Sequence, residues 1–383
     1  MVELHFQKYL TRDKINEIRE KYGFRENLPL EQFIMDFEAL YHIQKKLPDC
    51  VVKGGMAVPF HLKEKSLRRL SVDIDMVTGQ TRETVIGVMK EIAEKLDGFI
   101  TIPENHTPEK KDNKELPLLT YYCNYQSSVE EKPRIKIEIF YDNQLQVKTK
   151  RITDNEEIIG FEIDFPLSIF DHGALIGDKL TTLPFNTIGI GGNRGRDIPK
   201  QIYDIAHLLK SISDEIPIKE IVETFEIVSR EEISYYITNP PTTTEIVEDL
   251  LQFSNELLKI EGQINLNDSY EGTYQGFRTE MISGGNYKKQ THIVDILLIK
   301  ILALFVKKKI KKEIEYDEIS NNLRRILDKL FEILQLSRDD RLALTRELAI
   351  KHGKKSRNGQ IILNSLTEYA FLYDIIAELE NND

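Results

Sequence analysis

From Leu30 the apolar residues fall at Phe33, Ile34, Phe37, Leu40 and Tyr41, the i, i+3, i+4, i+7 stripe that a helix buries along one side. The spacing predicts an amphipathic helix ending near Pro48. Beyond it the period changes. Five short runs rich in β-branched and aromatic residues follow: Val51 to Gly55, Val72 to Val77, Phe99 to Pro103, Leu118 to Tyr125 and Arg134 to Tyr141. Polar or helical stretches separate them, which predicts strands in a mixed α/β arrangement. After Pro166 the strand signal fades and helical stripes take over, the cleanest at Leu323, Ile326, Leu327, Leu330, Phe331 and Leu334. Thr242 with Glu245, after the Asn239-Pro240-Pro241 breaker, and Ser337 with Asp340 look like capped helix starts.

The apolar run Ile293 to Val306 is short of a membrane span and holds Asp295 and Lys300, so it is expected to be a buried core helix. Joints are expected at Phe165-Pro166 and Asn239–Pro241, with a softer one across Asn265 to Asn286, which is rich in Gly and polar residues. There is no internal repeat. The expected fold is α+β: a mixed sheet with flanking helices over residues 1–165, then a mainly α-helical half over 166–383. A chain of 383 residues has ample length for both, at roughly 150 residues per domain.

Lys and Arg number 52 against 63 Asp and Glu, for a net charge of −11, which rules out a protein that coats nucleic acid with a wholly basic surface. Local basic stretches remain: lysines 300, 307, 308, 309, 311 and 312, and the later group Lys351, Lys354, Lys355 and Arg357. Each reads either as a solvated helix face or as an RNA-binding surface. Cys50 and Cys123 are the only cysteines, which excludes a disulfide framework and fits a reducing compartment. The first residues lack the pattern of a secretory signal. A cytoplasmic protein without membrane partners is expected.

Asp73-Ile74-Asp75 lies in a strand-like run, where a period of two turns both carboxylates to one face and Ile74 to the other. Two adjacent acids repel, so a cation is expected between them. Ile135-Lys136-Ile137-Glu138-Ile139 repeats this alternation. If the two strands are neighbours, Asp73, Asp75 and Glu138 form a three-carboxylate cluster suited to an oxygen-seeking divalent metal. Upstream, Lys53-Gly54-Gly55 joins a strand to a helical segment, a turn that lets the backbone approach a phosphate.

Taken together, Lys53-Gly54-Gly55, the run Arg69-Leu70-Ser71-Val72-Asp73-Ile74-Asp75 and the later acid Glu138 resemble the signature of the AbiEii/AbiGii nucleotidyltransferase toxins. These belong to the DNA polymerase β-like nucleotidyltransferase superfamily, and the MenT toxins are similar. Asp178-Lys179-Leu180 and the run Arg196 to Asp204 resemble the family's later helices, with Gln201 standing where the family usually has Asp. The resemblance covers roughly residues 30 to 210. It implies a polymerase β-like catalytic domain that transfers a nucleoside monophosphate from an NTP, with Mg²⁺ or alternatively Mn²⁺ held by Asp73, Asp75 and Glu138. Lys179, with Arg196 or Lys200, would neutralise the β- and γ-phosphates, and Asp204 would complete the last motif. Lys53, Gly54, Gly55, Arg69 and Ser71 would contact the nucleotide.

The same resemblance implies a toxin of a toxin–antitoxin or abortive-infection system, tRNA as acceptor, a cognate antitoxin as partner and an acceptor-binding surface in the helical half. Some readings of the residues stay open. Arg69 and Ser71 either bond the substrate or brace the strand, with Ser71 in step with the two acids. Arg196, Lys200 and Asp204, at i, i+4 and i+8, would share one helix face, where Lys200 is either functional or solvated. The glycine-rich run from Ile188 is either a phosphate cradle or a mobile connector. Two other functions compete: an enzyme that nucleotidylates a protein hydroxyl, and an inactive binding protein that keeps the fold.

Overall fold

The computed structural model describes residues 4–63, 69–96, 100–101, 116–129, 133–141, 146–190, 192–212, 215–235, 238–282, 287–354 and 356–381. Gly191 of the glycine-rich run, Lys355 of the second basic group and parts of the Phe99–Pro103 and Asn265–Asn286 segments lie outside them. The chain divides into two compact units. The first comprises Met1–Leu175, Glu231–Pro240 and Arg278–Asn286, and the second comprises Ile176–Arg230, Pro241–Phe277 and Tyr287–Asp383.

The first unit opens with α1 (Arg12–Tyr22) and α2 (Asn27–Lys46). The stripe of α2 is sealed, with Leu30, Phe33, Ile34, Phe37 and Leu40 wholly buried. Its polar side chains tie it to neighbouring segments: the Glu38 carboxylate accepts from the His5 and Phe6 N–H groups at 3.1 and 2.8 Å, and the Gln32 amide donates to Arg134 O at 2.9 Å. Then come β1 (Val51–Lys53), the single turn α3 (Gly54–Ala57), β2 (Asp73–Val77) and α4 (Arg82–Lys95). Strands β3 (Ile100–Thr101), β4 (Leu118–Tyr125), β5 (Arg134–Phe140), β6 (Thr149–Ile152), the hairpin β7 (Glu156–Ile158) and β8 (Phe161–Ile163), and β9 (Leu167–Phe170) follow.

Among the described residues seven of these strands form one mixed sheet in the order β3-β4-β5-β2-β1-β9-β6. The central strands β5 and β2 run parallel, and β1 pairs antiparallel to β2. The alternation read from the sequence holds. Ile74, Met76, Ile135, Ile137 and Ile139 are buried to within 1% of complete, while the intervening residues carry charge. The division expected at 165/166 lies further on. Strand β9 pairs in parallel with β1 through Val52 and Ile169, which keeps the chain in the first unit through Leu175. The later segment 231–240 returns to the same unit, where Tyr235 packs with Leu116 and Leu118.

In the second unit the chain runs through the end of α5 (His172–Leu180), α6 (Ile198–Ser211), most of α7 (Ile218–Ser234), α8 (Thr243–Leu257), the hairpin β10 (Leu258–Glu261) and β11 (Gln263–Leu266), and most of α9 (Asp268–Met281). It finishes with α10 (Lys289–Ile310), α11 (Tyr316–Gln335), α12 (Arg338–Lys351), α13 (Arg357–Asn364) and α14 (Thr367–Asn381). The expected core helix is α10. It is buried from His292 to Val306 apart from Lys300 and packs against α6, α8 and α14. No helix among the described residues is long and apolar enough to cross a membrane.

The two expected caps are present: Thr242 and Glu245 form a reciprocal capping box, and Ser337 accepts from the Asp340 N–H. The soft joint expected from Asn265 is instead mostly the helix α9, whose buried Tyr270, Tyr274 and Phe277 hold it. On α11 the stripe is only partly buried, with Phe331 65% exposed and Leu334 49% exposed.

Candidate active site

Parallel pairing sets the register of β2 against β5: Asp73 lies opposite Lys136, and Asp75 opposite Glu138. A strand's period of two puts all four side chains on one face. On the other side Lys53 lies opposite Asp75 across the β1–β2 pair. Thus Asp73, Asp75 and Glu138 share one face as expected, and the cation required between them is supplied by the strands themselves. Lys136 Nζ lies 2.5 Å from Glu138 Oε2, and Thr120 of β4 donates to Glu138 Oε1 at 3.4 Å.

The electrostatics follow from this packing. The Asp75 carboxyl is pushed up to about 6, by burial first and then by Glu138 and Asp73, although Lys53 and Lys136 pull the other way. Burial works against the charge of Lys136, yet the hydrogen bond and charge of Glu138, with Asp73 and Asp75, hold its ammonium above its ordinary pKa. The face therefore carries negative charge beyond what its two lysines offset.

The glycine pair is explained by what lies under it. Gly54 adopts φ +64°, and a Cβ there would overlap Asp75 Oδ2. A Cβ on Gly55 would overlap Ser71 Oγ and come within 2.9 Å of an Arg69 guanidinium nitrogen. Arg69 and Ser71 are buried, and Arg69 Nη1 donates to Leu70 O at 2.7 Å. So the turn, the acid strand and the Arg69–Ser71 segment fit together only because both positions lack a side chain.

Does this face suit a divalent cation? Its donors are hard carboxylate oxygens, and the raised pKa of Asp75 marks negative charge that a cation would relieve. Asp73 and Asp75 fit. Glu138 is committed to Lys136 and Thr120, and among the described residues no three acid, histidine or cysteine side chains gather closely enough to enclose an ion. The expected triad is therefore present as a shared face but not as a closed ligand set. The ion pair with Lys136, two positions along the same strand, is the reason.

The second unit holds the other expected residues. Lys179, near the end of α5, is 2% exposed; its Nζ lies 2.8 Å from the fully buried Asp204 Oδ2 and donates to Gln201 Oε1 at 3.1 Å. The Gln201 that departs from the family pattern is thus a partner of Lys179. Lys200 is half-buried and pairs with Asp197 at 3.1 Å. The single helix face expected for Arg196, Lys200 and Asp204 does not form. Arg196 is exposed in a 3₁₀ segment, Gly192–Asp197, ahead of α6, whose first residues are Ile198 and Pro199. Proline suits the first turn of a helix but not its interior.

The 307–312 lysine run is largely absorbed by the fold, whereas Lys351, Lys354 and Arg357 of the later group are exposed. Lys307 is 3.7 Å from Glu248, Lys308 is buried, Lys309 pairs with Glu315 and sits over the Tyr316 ring, and Lys351 pairs with Asp374. Only Lys311 and Lys312 of the 307–312 run are exposed, so the run is not the concentrated basic surface its sequence suggested.

Two groups were not read from the sequence as part of this chemistry. The alternation displayed Lys136 but not its capture of Glu138. Asp36 on α2 carried no signal, since it lies between Met35 and Phe37 in an apolar stretch. Among the described residues neither of its buried carboxylate oxygens has a hydrogen-bond partner. Burial, then the charges of Asp73 and Asp75, push its pKa well above the ordinary carboxylate range.

No curated protein matches the chain. Among solved structures it is similar to MenT4, a nucleotidyltransferase toxin from Mycobacterium tuberculosis H37Rv, at 14% identity and a TM-score of 0.43 over 61% of this chain and 76% of that one. The sequence pattern described as nucleotidyl transferase AbiEii toxin, type IV toxin–antitoxin system, matches residues 38–287. That span takes in Gly54, Gly55, Asp73, Asp75, Glu138, Lys179 and Asp204. Matched over well more than half its length, the chain belongs to the AbiEii family of nucleotidyltransferase toxins.

Proposed function

We propose that this nucleotidyltransferase moves a nucleoside monophosphate from an NTP to RNA, with tRNA as the acceptor, in a Mg²⁺-dependent reaction that a cognate antitoxin opposes. The observation that carries the reading is the β2–β5 register, which sets Asp73, Asp75 and Glu138 on one face beside the Gly54-Gly55 turn. Asp73 and Asp75 would hold the ion, and Glu138 would join them on releasing Lys136. Bound there, a divalent ion supplies positive charge to the triphosphate and acidifies the attacking hydroxyl.

The remaining work falls to the chain's own residues. Gly54 and Gly55 let the nucleotide approach the acid strand without a side chain between them. Lys53 and Lys136 place ammonium groups on the face that must receive a polyanion. The acceptor hydroxyl oxygen attacks the α-phosphorus, its proton passes to the Glu138 carboxylate, the bond to the β-phosphate oxygen breaks and pyrophosphate leaves. Lys179 is the family's candidate for the β- and γ-phosphates. Its ammonium is already neutralised by Asp204, so the pair would act together, with Asp204 fixing where the charge sits. Lys200, paired with Asp197, and the exposed Arg196 are secondary candidates.

The test is incubation with each labelled NTP, with and without Mg²⁺, in the presence of total RNA. Label in RNA that needs Mg²⁺ supports the proposal. Label in protein alone would replace the acceptor, and label in neither, from protein that binds NTP, would favour a binding protein that has lost turnover.

A further inference from the structure

The second unit contains a cleft of about 390 Å³ between β11, the first turn of α10 and the α13–α14 link. Three exposed carboxamides, Gln263, Gln290 and Asn364, line it beside the half-buried Asn265, whose Oδ1 accepts from the Leu266 N–H at 2.9 Å. Among the described residues none of the three exposed amides has a hydrogen-bond partner. Leu366, 49% exposed, and the buried Tyr369 form apolar wall. Lys289 also lines the cleft, but its Nζ lies 2.8 and 2.9 Å from the two Glu271 oxygens. The lining is therefore close to electrically neutral.

This chemistry selects its ligand. A phosphate would meet an ammonium already neutralised by a carboxylate. A purely apolar ligand would strip water from three amides and give nothing back. A planar group with donors and acceptors on its edge and an apolar face satisfies both kinds of wall, since each carboxamide offers donors and an acceptor. Asn and Gln are the side chains that read base edges in this way, and unpaired bases expose those edges and faces. We infer that the cleft lined by Gln263, Gln290 and Asn364 takes an unpaired nucleobase, supplied either by the acceptor RNA or by a free nucleotide.

The inference rests on the proposed transfer to RNA and deepens it, because it adds uncharged base contacts to the charge that exposed residues such as Lys311, Lys312, Lys354 and Arg357 offer an acceptor. The double variant Gln290→Ala/Asn364→Ala removes two exposed amides, touches none of the proposed transfer site and should keep the wild-type melting temperature. Full-length wild-type and variant proteins would be titrated with a short unstructured RNA oligonucleotide, the same strand as a duplex, and the four nucleoside monophosphates, at several salt concentrations.

The expected result is that wild type prefers the single strand and the variant binds it ~tenfold more weakly. The salt dependence should be unchanged, because the lost contacts carry no charge. Monophosphates that bind as tightly as the oligonucleotide, and lose affinity in the variant, would make the source a free nucleotide. Binding restricted to the oligonucleotide would make it RNA. Equal affinity of the two proteins for every probe, or preference for the duplex, overturns the inference. If wild type labels RNA while the variant binds it equally well, the cleft inference fails and the functional reading stands. If wild type binds neither RNA nor the monophosphates, but labels protein, both fail together.

Discussion

Gly54 and Asp75 compete for the same space: the carboxylate of Asp75 lies where a Cβ on Gly54 would be, and Gly54 itself sits at φ +64°. Gly54→Ala should therefore cost stability twice, through a left-handed backbone worth about 1–2 kcal/mol in any L-residue and through displacement of the acid. The two parts can be separated. In an Asp75→Ala background the carboxylate overlap vanishes, leaving the backbone part and a 3.1 Å approach to the Cβ at position 75, so denaturant titrations of the four proteins in the cycle should show a smaller cost of Gly54→Ala there. An unchanged cost would mean that the turn yields without moving Asp75. Transfer activity should fall at least ~tenfold in Gly54→Ala if the acid is displaced.

Asp75 is held in a charge state that the fold alone disfavours. Its folded pKa, about 6, lies above the ordinary carboxylate value of about 4, so the unfolded chain binds fewer protons than the folded one between those values. Stability from this group is present at low pH and is lost as pH rises through about 6. Asp75→Asn should accordingly keep or raise the melting temperature at pH 7.5 while lowering transfer by at least ~10²-fold. Asp73→Asn should lose activity similarly. A melting temperature that drops along with activity would return Asp75 to a structural role.

The acid strand was legible because its information is local: alternation at Asp73-Ile74-Asp75 and at Lys136-Ile137-Glu138 fixes which face each side chain takes, and only the pairing of the strands had to be found. The helix at 293–306 was legible for a similar reason, since a long apolar run with a few polar members can only be buried. Strand β6 was not, because three of its four residues are exposed and carry polar groups, leaving no alternation to read. The pairing of β9 with β1 joins segments more than a hundred residues apart, and no window of sequence carries it. Lys307 to Lys309 looked like a charged surface, yet Glu248 and Glu315 come from other elements. The capture of Lys179 by Asp204 and Gln201 likewise exists only once α5 and α6 pack.

That buried pair changes how substitutions at Lys179 must be interpreted. Lys179→Ala leaves the Asp204 carboxylate fully buried without its counter-ion, which costs about 3–5 kcal/mol, so lost activity in that variant would not by itself locate a function. Lys179→Met/Asp204→Leu removes both charges and should recover most of the stability, because apolar replacement of an internal ion pair is often neutral or better. If the lysine serves the triphosphate, the double variant stays folded by circular dichroism and denaturant titration but remains inactive. Recovery of activity with stability would assign the pair to folding alone.

Two of the buried histidines, His61 and His292, contribute to the response to acid. His61 Nε2 donates to Phe170 O at 2.8 Å in the first unit, and burial, then His172, lowers its pKa to about 4. In the second unit His292 is wholly buried between the hydroxyls of Tyr270 and Tyr287, at 2.8 and 2.9 Å, and burial lowers it to about 3. Because the phenylalanine oxygen can only accept, His61 Nε2 must carry the proton of the neutral ring. Both groups have depressed folded pKa values, so between the ordinary histidine value near 6.5 and their folded values the unfolded chain binds more protons. Stability is then fully present above about 6.5 and is lost as pH falls toward 4 and then 3. For His61 the full loss is on the order of 3 kcal/mol. His61→Gln, which keeps a donor for Phe170 O without titrating, should flatten the fall in unfolding free energy between pH 6.5 and 4. Unfolding titrations across that range decide it, since parallel pH profiles for the two proteins would show that His61 is not held neutral by the fold.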